Sequence, residues 1–287
     1  TLKLALFHTI FNIIGVLIMI PFIKILERFL IRFIKEKVDK DIDEPKFLSE
    51  SVLLMPTSAI SALVKESKYL YKNAIFEIVS HSLNIHREDV KSDEKVKNII
   101  KKSTKDLNID IDDIYYKKVK HIYSEIITYI TTTQNSLKLN KRQDKIVSNI
   151  KVANRKMVEI IKDTRELNKN ITLSQNLNNP YLEKEYDGFR KKITKVLRII
   201  YLFRTEEETE KYAEKLSQLK KEAKENIKNS NDSIDKLIRK DLINPEMASS
   251  LFNDNYNVNE IIKKLIVVAE LLYGKIDTLL DENNTAK

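Results

Sequence analysis

The chain has 287 residues, of which 42% are hydrophobic and 32% are charged, and it carries a formal net charge of +9. It contains 3 Gly and 5 Pro, too few turn-forming residues for a β-sandwich or an α/β fold, which favours long helices. The lack of Cys excludes disulfide scaffolds, Cys-ligated zinc sites and thiol catalysis.

The first predicted element is a membrane-spanning helix from Leu4 to Ile23, a stretch without any charged side chain. A helix of this length rises about 30 Å, which is the thickness of the hydrocarbon core of a bilayer. A buried core helix is the alternative, but the lack of charge on every face favours the membrane. Because the chain begins at Thr1 rather than Met, we expect it to be part of a longer protein.

An amphipathic helix is predicted to follow the span and to end near residue 36. Its apolar residues recur at i, i+3 and i+4, and basic residues fill the opposite face, as in helices that lie in the membrane interface. The Lys and Arg that follow the span place residues 37–287 in the cytoplasm by the positive-inside rule. The apolar side consists of Phe22, Ile25, Leu26, Phe29, Leu30, Phe33 and Ile34, and the basic residues are Lys24, Arg28, Arg32, Lys35 and Lys37.

Two polar residues of the predicted span, His8 and Asn12, lie one turn apart on one helix face. Polar groups at membrane depth are costly unless they face protein or a water-filled path. They are candidates for the lining of a transport path, and hydrogen-bonded helix packing is the alternative. In either case this helix requires other membrane helices as neighbours.

A linker is predicted over residues 37–55, and a soluble bundle of antiparallel helices over residues 56–287. The first three long helices are predicted over residues 56–83, 112–137 and 140–170, with a short helix between the first two that ends near residue 107. Ser92 is the predicted N-cap of the short helix, and Asn140 forms a predicted capping box with Gln143. The predicted core face of the third long helix carries Ile146, Ile150, Ala153, Met157, Ile160 and Ile161.

A second set of about three helices is predicted after residue 178. Its first helix starts at Pro180, a residue that suits the first turn of a helix. The apolar positions do not keep a strict heptad across the polar breaks, so a bundle is favoured over a coiled coil. The predicted caps are Asn179, Thr205 with Glu208, and Asn257 with Glu260, and the predicted helix ends are near residues 240, 251 and 280.

The start of the chain resembles the last membrane helix of sodium–phosphate cotransporters, which carries an A-x-x-H-x-x-F-N-x-x-G pattern followed by P-F. The bacterial branch of that family also has a P-K-[YF]-L element, followed by a Pro before a long helix. The resemblance implies that residues 56–287 form a PhoU-like domain of two three-helix halves. The matching residues are Ala5, His8, Phe11, Asn12, Gly15, Pro21, Phe22, Pro45, Lys46, Phe47, Leu48, Met55, Pro56 and Thr57.

The resemblance also implies a function: the C-terminal part of a sodium-dependent inorganic phosphate symporter, a multi-pass protein of the plasma membrane. Sodium would be the co-transported ion, and the PhoU-like domain would regulate phosphate uptake. The Gln-Ser-Ser hairpins that bind sodium and phosphate in that family have no counterpart in this sequence, so upstream membrane helices must supply them. The resemblance leaves open whether the protein forms a homo-oligomer. The alternative function is a membrane-tethered helical interaction or signalling module without transport activity.

PhoU-like proteins often carry a metal-binding E-x-x-x-D motif, and Glu159 and Asp163 keep its spacing. Carboxylates at i and i+4 share one helix face, as a metal-bridging pair must. The resemblance therefore implies a divalent metal at this pair, although the Arg and Gly of the family pattern are lost. The alternative is a pair of surface charges with Lys156 and Lys162 as partners.

The positive net charge does not indicate a nucleic-acid-binding protein. Basic residues alternate with acidic residues at helical spacing, which is typical of solvated helix faces. The four His lack the spacing of metal ligands, and the three isolated Gly form no phosphate-binding loop. We therefore expect neither nucleic-acid binding nor enzymatic activity.

Overall fold

The computed structural model describes residues 2–33 and 41–274, and for a few residues within these ranges it describes the backbone alone. Within the described residues all regular structure is helical, in agreement with the predicted all-α class. The chain divides into two compact units, Thr1–Ile42 and Asp43–Lys287. Residues 43–55 of the predicted linker therefore belong to the second unit.

The described residues of the first unit include one helix, α1 (Leu2–Phe33). Every side chain from Lys3 to Ile20 is exposed, and this stretch is long and apolar enough to cross a membrane. The predicted boundary between the span and a separate amphipathic helix is absent from the described backbone. Pro21 is the one strong helix breaker near that point, and a Pro can be accommodated within a continuing helix. The side chains of the predicted amphipathic face from Lys24 onward, and all of residues 34–40, lie outside the described part.

The described residues of the second unit form a 3₁₀ turn at Glu50–Leu54 followed by six long helices. Two of these contain a π-helical turn: α2 (Pro56–Leu70, π turn Tyr71–Ile75, Phe76–Ser82) and α5 (Ile111–Tyr115, π turn Tyr116–Lys120, His121–Ser136). Two short helices lie between them, α3 (Arg87–Lys91) and α4 (Val96–Lys102). The remaining long helices are α6 (Lys141–Asn176), α7 (Pro180–Thr205), α8 (Thr209–Arg239) and α9 (Pro245–Tyr273).

Several predicted helix starts are confirmed. Pro56 and Pro180 each occupy the first turn of a helix, where a missing N–H costs nothing. The capping box of α6 is complete: the side chain of Asn140 accepts the N–H of Gln143 at 2.9 Å, and the side chain of Gln143 accepts the N–H of Asn140 at 3.0 Å. Asn179 caps α7 by accepting the N–H of Leu182 at 3.1 Å.

Two predicted N-caps are wrong because the residues complete the preceding helix instead. The hydroxyl of Ser92 donates to the carbonyl of Asp89 at 2.7 Å at the end of α3, and α4 starts after Lys95. The hydroxyl of Thr205 donates to the carbonyl of Tyr201 at 2.8 Å within α7. Ser and Thr hydroxyls can donate to carbonyls three or four residues upstream, and here they do so at the end of a helix.

The predicted break at Asn257 is also wrong, because α9 runs without interruption from Pro245 to Tyr273. Asn is a poor helix former, but tertiary hydrogen bonds can outweigh that preference. The side chain of Asn255 donates to the carbonyl of Ile227 at 3.0 Å and to the side-chain oxygen of Asn231 at 2.9 Å, both on α8.

The six long helices pack in two groups of three. In the first group α2 contacts α5 and α6, and α5 contacts α6, while in the second group α7, α8 and α9 contact one another. Short connections between contacting neighbours make α5 and α6, and likewise α7, α8 and α9, antiparallel. The two groups meet mainly along α6 and α9. All predicted core residues of α6 are buried there: Ile146, Ile150, Ala153, Met157, Ile160 and Ile161.

Candidate functional site

The predicted transport-path residues lie on the exposed surface of α1. His8 and Asn12 are both exposed, and a Cβ added at Gly15 would meet nothing within 4 Å. The neighbouring hydroxyl of Thr9 is satisfied within the helix, since it donates to the carbonyl of Ala5 at 2.9 Å. The lining of a transport path by His8 and Asn12 stays a prediction.

The predicted metal pair, Glu159 and Asp163, faces a lysine from α9. The ammonium of Lys264 lies 2.6 Å from Asp163 and 3.7 Å from Glu159, and Lys156 lies 2.8 Å from Glu159. The hydrogen bond from Lys156 lowers the pKa of Glu159. Burial lowers the pKa of Lys264, but its hydrogen bond to Asp163 and the two carboxylate charges outweigh burial and raise it.

The ion pairs of Lys264 with Glu159 and Asp163 connect α6, in the first helix group, with α9, in the second. The predicted partner Lys156 is confirmed, whereas Lys162 is exposed. Lys264 could not be predicted, because it is 101 residues away from Asp163 in the sequence. Among the described residues there is no group of three or more His, Cys, Asp or Glu arranged to hold a metal ion.

A buried carboxylate, that of Asp254, lies between α6, α7 and α9. Its Oδ2 accepts the hydroxyl of Tyr186 at 2.8 Å and the amide of Asn170 at 2.9 Å. Burial raises the pKa of Asp254, and the two hydrogen bonds oppose that rise. This group was not predicted as a site, and its contacts are all within the bundle.

The linker element 45–48 is held against α2 by a second buried carboxylate. Oε2 of Glu66, a fully buried residue, accepts the backbone N–H of Lys46 at 2.9 Å and that of Phe47 at 2.6 Å. The ammonium of Lys46 lies 4.4 Å from the ring centroid of Tyr69, and the ring of Phe47 packs edge-on against Tyr69 at 6.2 Å. Burial raises the pKa of Glu66, while the backbone N–H groups of Phe47 and Lys46 lower it.

Beside this contact is an open cleft of about 650 Å³, which we call the basic cleft. It lies between α2, α3, α7 and α9, and it combines cations with aromatic rings. The cations that line it are Lys65, Lys68, Lys72, Lys91 and Arg204. The aromatic residues that line it are Phe47, Tyr69, Tyr201 and Tyr273.

The wall of the basic cleft formed by α3 is fixed by an arginine of α7. Arg198 donates to three carbonyl oxygens: that of Val90 at 2.9 Å, that of Glu94 at 2.6 Å and that of Asp89 at 3.1 Å. These carbonyls are at or just beyond the end of α3, where helical carbonyls lack internal partners. The positions of the side chains that α3 contributes to the cleft therefore depend on α7.

Part of the basic cleft was visible in the sequence. Lys65, Lys68 and Lys72 occupy i, i+3 and i+7, a stripe along one face of α2. The stripe did not stand out because lysines are frequent throughout the chain. Arg204 and Tyr273 come from distant segments that only the fold brings to α2.

Comparisons of this chain with models of protein families, with curated proteins and with solved structures found no match.

Proposed function

We propose that this chain is the C-terminal part of a sodium-dependent inorganic phosphate symporter, in which residues 43–287 form a domain that regulates phosphate uptake. The observation that carries the proposal is α1, a single apolar helix with an exposed surface on every side. Such a surface is stable in lipid or against other membrane helices, and not in water. The residues that resemble the last helix of the cotransporters, including His8, Asn12 and Gly15, all lie on α1.

The arrangement of the second unit supports a PhoU-like domain. The proposed family has two halves of three helices each, and here two groups of three long helices are in contact along α6 and α9. In this proposal residues 37–287 are cytoplasmic and the full-length protein spans the membrane several times. Sodium and phosphate would bind to upstream helices, with His8 and Asn12 at the border of their path.

The linker contact supports a regulatory role. The PKFL element, which is part of the resemblance, is the segment that Glu66 and Tyr69 hold on the helical domain. A change in the domain that releases this segment would alter the tether that follows α1 along the chain. A divalent metal at Glu159 and Asp163 remains part of the proposal, but it would have to displace the ammonium of Lys264.

The first test is membrane partition. The chain 1–287 is expected in the membrane fraction and to resist extraction with alkaline carbonate, because α1 supplies the apolar span. A variant that lacks residues 1–42 is expected in the supernatant, since the second unit has its own hydrophobic core. Recovery of the intact chain in the supernatant would refute the membrane assignment.

The second test is uptake of radiolabelled phosphate by cells that express the full-length protein, in sodium and in choline medium. We expect uptake that requires sodium, a lower rate in the His8→Ala/Asn12→Ala double variant, and altered dependence on phosphate supply when residues 43–287 are deleted. An exposed pair on the second unit, Lys101→Ala/Lys105→Ala, is the control. A membrane-bound protein without sodium-dependent uptake would refute the symporter and favour the tethered interaction module.

A further inference from the structure

The lining of the basic cleft contains more cationic than acidic side chains. Five cationic side chains line it against one carboxylate, that of Glu88. That carboxylate is already paired, since it lies 2.6 Å from the ammonium of Lys91 and 3.5 Å from Arg87. None of the described residues supplies a carboxylate to Lys65, Lys72 or Arg204. A cleft lined mainly by cations attracts anions, so Lys65, Lys72 and Arg204 together indicate an anionic ligand.

Arg204 is positioned by aromatic rings rather than by an acid. Its guanidinium lies 5.5 Å from the ring centroid of Phe76 and 5.4 Å from that of Tyr201. Its Nε is buried and has no hydrogen-bond acceptor among the described residues, and the same is true of the buried hydroxyl of Tyr71. Polar groups without partners are rare in protein interiors and call for an explanation. Stacked arginines of this kind are typical of sites that bind phosphate groups.

The aromatic lining adds a second kind of recognition. Tyr69, Tyr201 and Tyr273 are half-buried, and the ring of Phe47 is 41% exposed. Flat rings beside cations bind ligands that combine a planar base with phosphates, through stacking and charge-assisted hydrogen bonds. The volume of about 650 Å³ is within the range of small-molecule sites. An inorganic phosphate ion or a lipid headgroup would use the cations alone.

We propose that the basic cleft binds a nucleoside polyphosphate, with Lys65, Lys72 and Arg204 at the phosphates and Tyr69 at the base. The ligand would contact the linker directly, because Phe47 lines the cleft and Tyr69 also packs against Phe47 and Lys46. Bound nucleotide therefore stabilises the attached state of the linker. Binding itself is independent of the function proposed above, and only its effect on uptake rests on that function.

The test uses the chain 1–287 in detergent micelles and isothermal titration calorimetry, with ATP, inorganic tripolyphosphate and adenosine as probes. We expect ATP to bind more tightly than tripolyphosphate, and adenosine to bind weakly. The Lys65→Gln/Lys72→Gln variant is expected to weaken ATP binding by about tenfold or more, because it removes two charge-assisted contacts. The control is Lys95→Gln/Lys97→Gln, which removes the same charge at two exposed positions outside the cleft.

The Tyr69→Leu variant separates the base from the phosphates. It is expected to weaken the binding of ATP and to leave that of tripolyphosphate unchanged. Hydrogen exchange of the Lys46 and Phe47 amides is expected to slow when ATP is added to the unmodified chain. Vesicles of phosphatidylcholine with and without phosphatidylglycerol provide the lipid arm, and they are expected to leave ATP binding unchanged.

Three results would overturn the proposal. The first is the lack of ATP binding up to millimolar concentration, and the second is an equal loss in the control variant, which would indicate non-specific attraction. The third is equal affinity for ATP and tripolyphosphate, or competition by the anionic vesicles, which would assign the cleft to bare phosphate groups. If ATP binds as expected but sodium-dependent uptake is absent, only the symporter proposal fails.

Discussion

The hydrogen bonds between Glu66 and the linker lead to a quantitative prediction for the Glu66→Ala variant. This change removes the acceptor of two backbone N–H groups, those of Lys46 at 2.9 Å and Phe47 at 2.6 Å. Hydrogen bonds to a charged group contribute about 1.5–3 kcal/mol each, or roughly 3–6 kcal/mol for the pair. Burial of the Glu66 carboxylate, which raises its pKa, costs free energy that offsets part of this contribution. The net loss of free energy that holds the linker is therefore expected to be about 2–4 kcal/mol.

Such a loss increases the fraction of molecules with a detached linker by a factor of roughly 30 to 1,000, since about 1.4 kcal/mol corresponds to a tenfold change in an equilibrium constant. The assay is hydrogen exchange followed by mass spectrometry, on a peptide that contains the Lys46 and Phe47 amides. Their exchange is expected to accelerate by that factor, while the amides of α6 keep their protection.

The matched control is Glu77→Ala on the same helix. Glu77 pairs with Arg87 and Lys118, at 3.3 Å in each case, and makes no contact with the linker. Its removal is expected to leave exchange at residues 46 and 47 unchanged. Equal exchange in the Glu66→Ala variant and the unmodified chain would show that Glu66 does not hold the linker.

Three further predictions concern the helical domain. The raised pKa of Asp254 adds stability at low pH, and this stability is lost as the pH rises from the ordinary value of 3.8 through the raised pKa. Asp254→Asn is therefore expected to reduce the difference in melting temperature between pH 3.8 and pH 7, and an unchanged difference would contradict this. Asn140→Ala is expected to lower the free energy of unfolding by about 1 kcal/mol in urea titrations, because the N-cap of α6 is lost. An unchanged free energy of unfolding would show that the start of α6 does not depend on this cap. Lys264→Ala is expected to increase the affinity of Glu159 and Asp163 for Mn²⁺, measured by calorimetry, because the ammonium group no longer contacts the two carboxylates. An affinity equal to that of the unmodified chain would argue against a metal at this pair.

Local features of the fold could be predicted because local physics determines them. The 20 residues without charge, the Pro residues at helix starts and the capping box at Asn140 each depend on a few neighbouring residues. The wrong caps at Ser92, Thr205 and Asn257 have the opposite cause. Each has a suitable cap sequence, but the helix around it is decided by hydrogen bonds and packing that the sequence pattern does not reveal.

The candidate sites were less predictable for the same reason. Glu159 and Asp163 were correctly placed on one face of one helix, but the cation beside them comes from another helix group. The PKFL element was recognised by resemblance, while its acceptor, Glu66, is an isolated acid between Lys65 and Ser67 on α2. The basic cleft requires the ends of α7 and α9 to meet α2, and such long-range contacts leave no periodic pattern in the sequence.

The two π-helical turns, Tyr71–Ile75 in α2 and Tyr116–Lys120 in α5, contact each other within the first helix group. A π turn contains one more residue than an α turn, so the residues after it are rotated by about 100° relative to a regular helix. A relative that lacked these turns would align with this chain only if a single-residue gap were placed inside each helix.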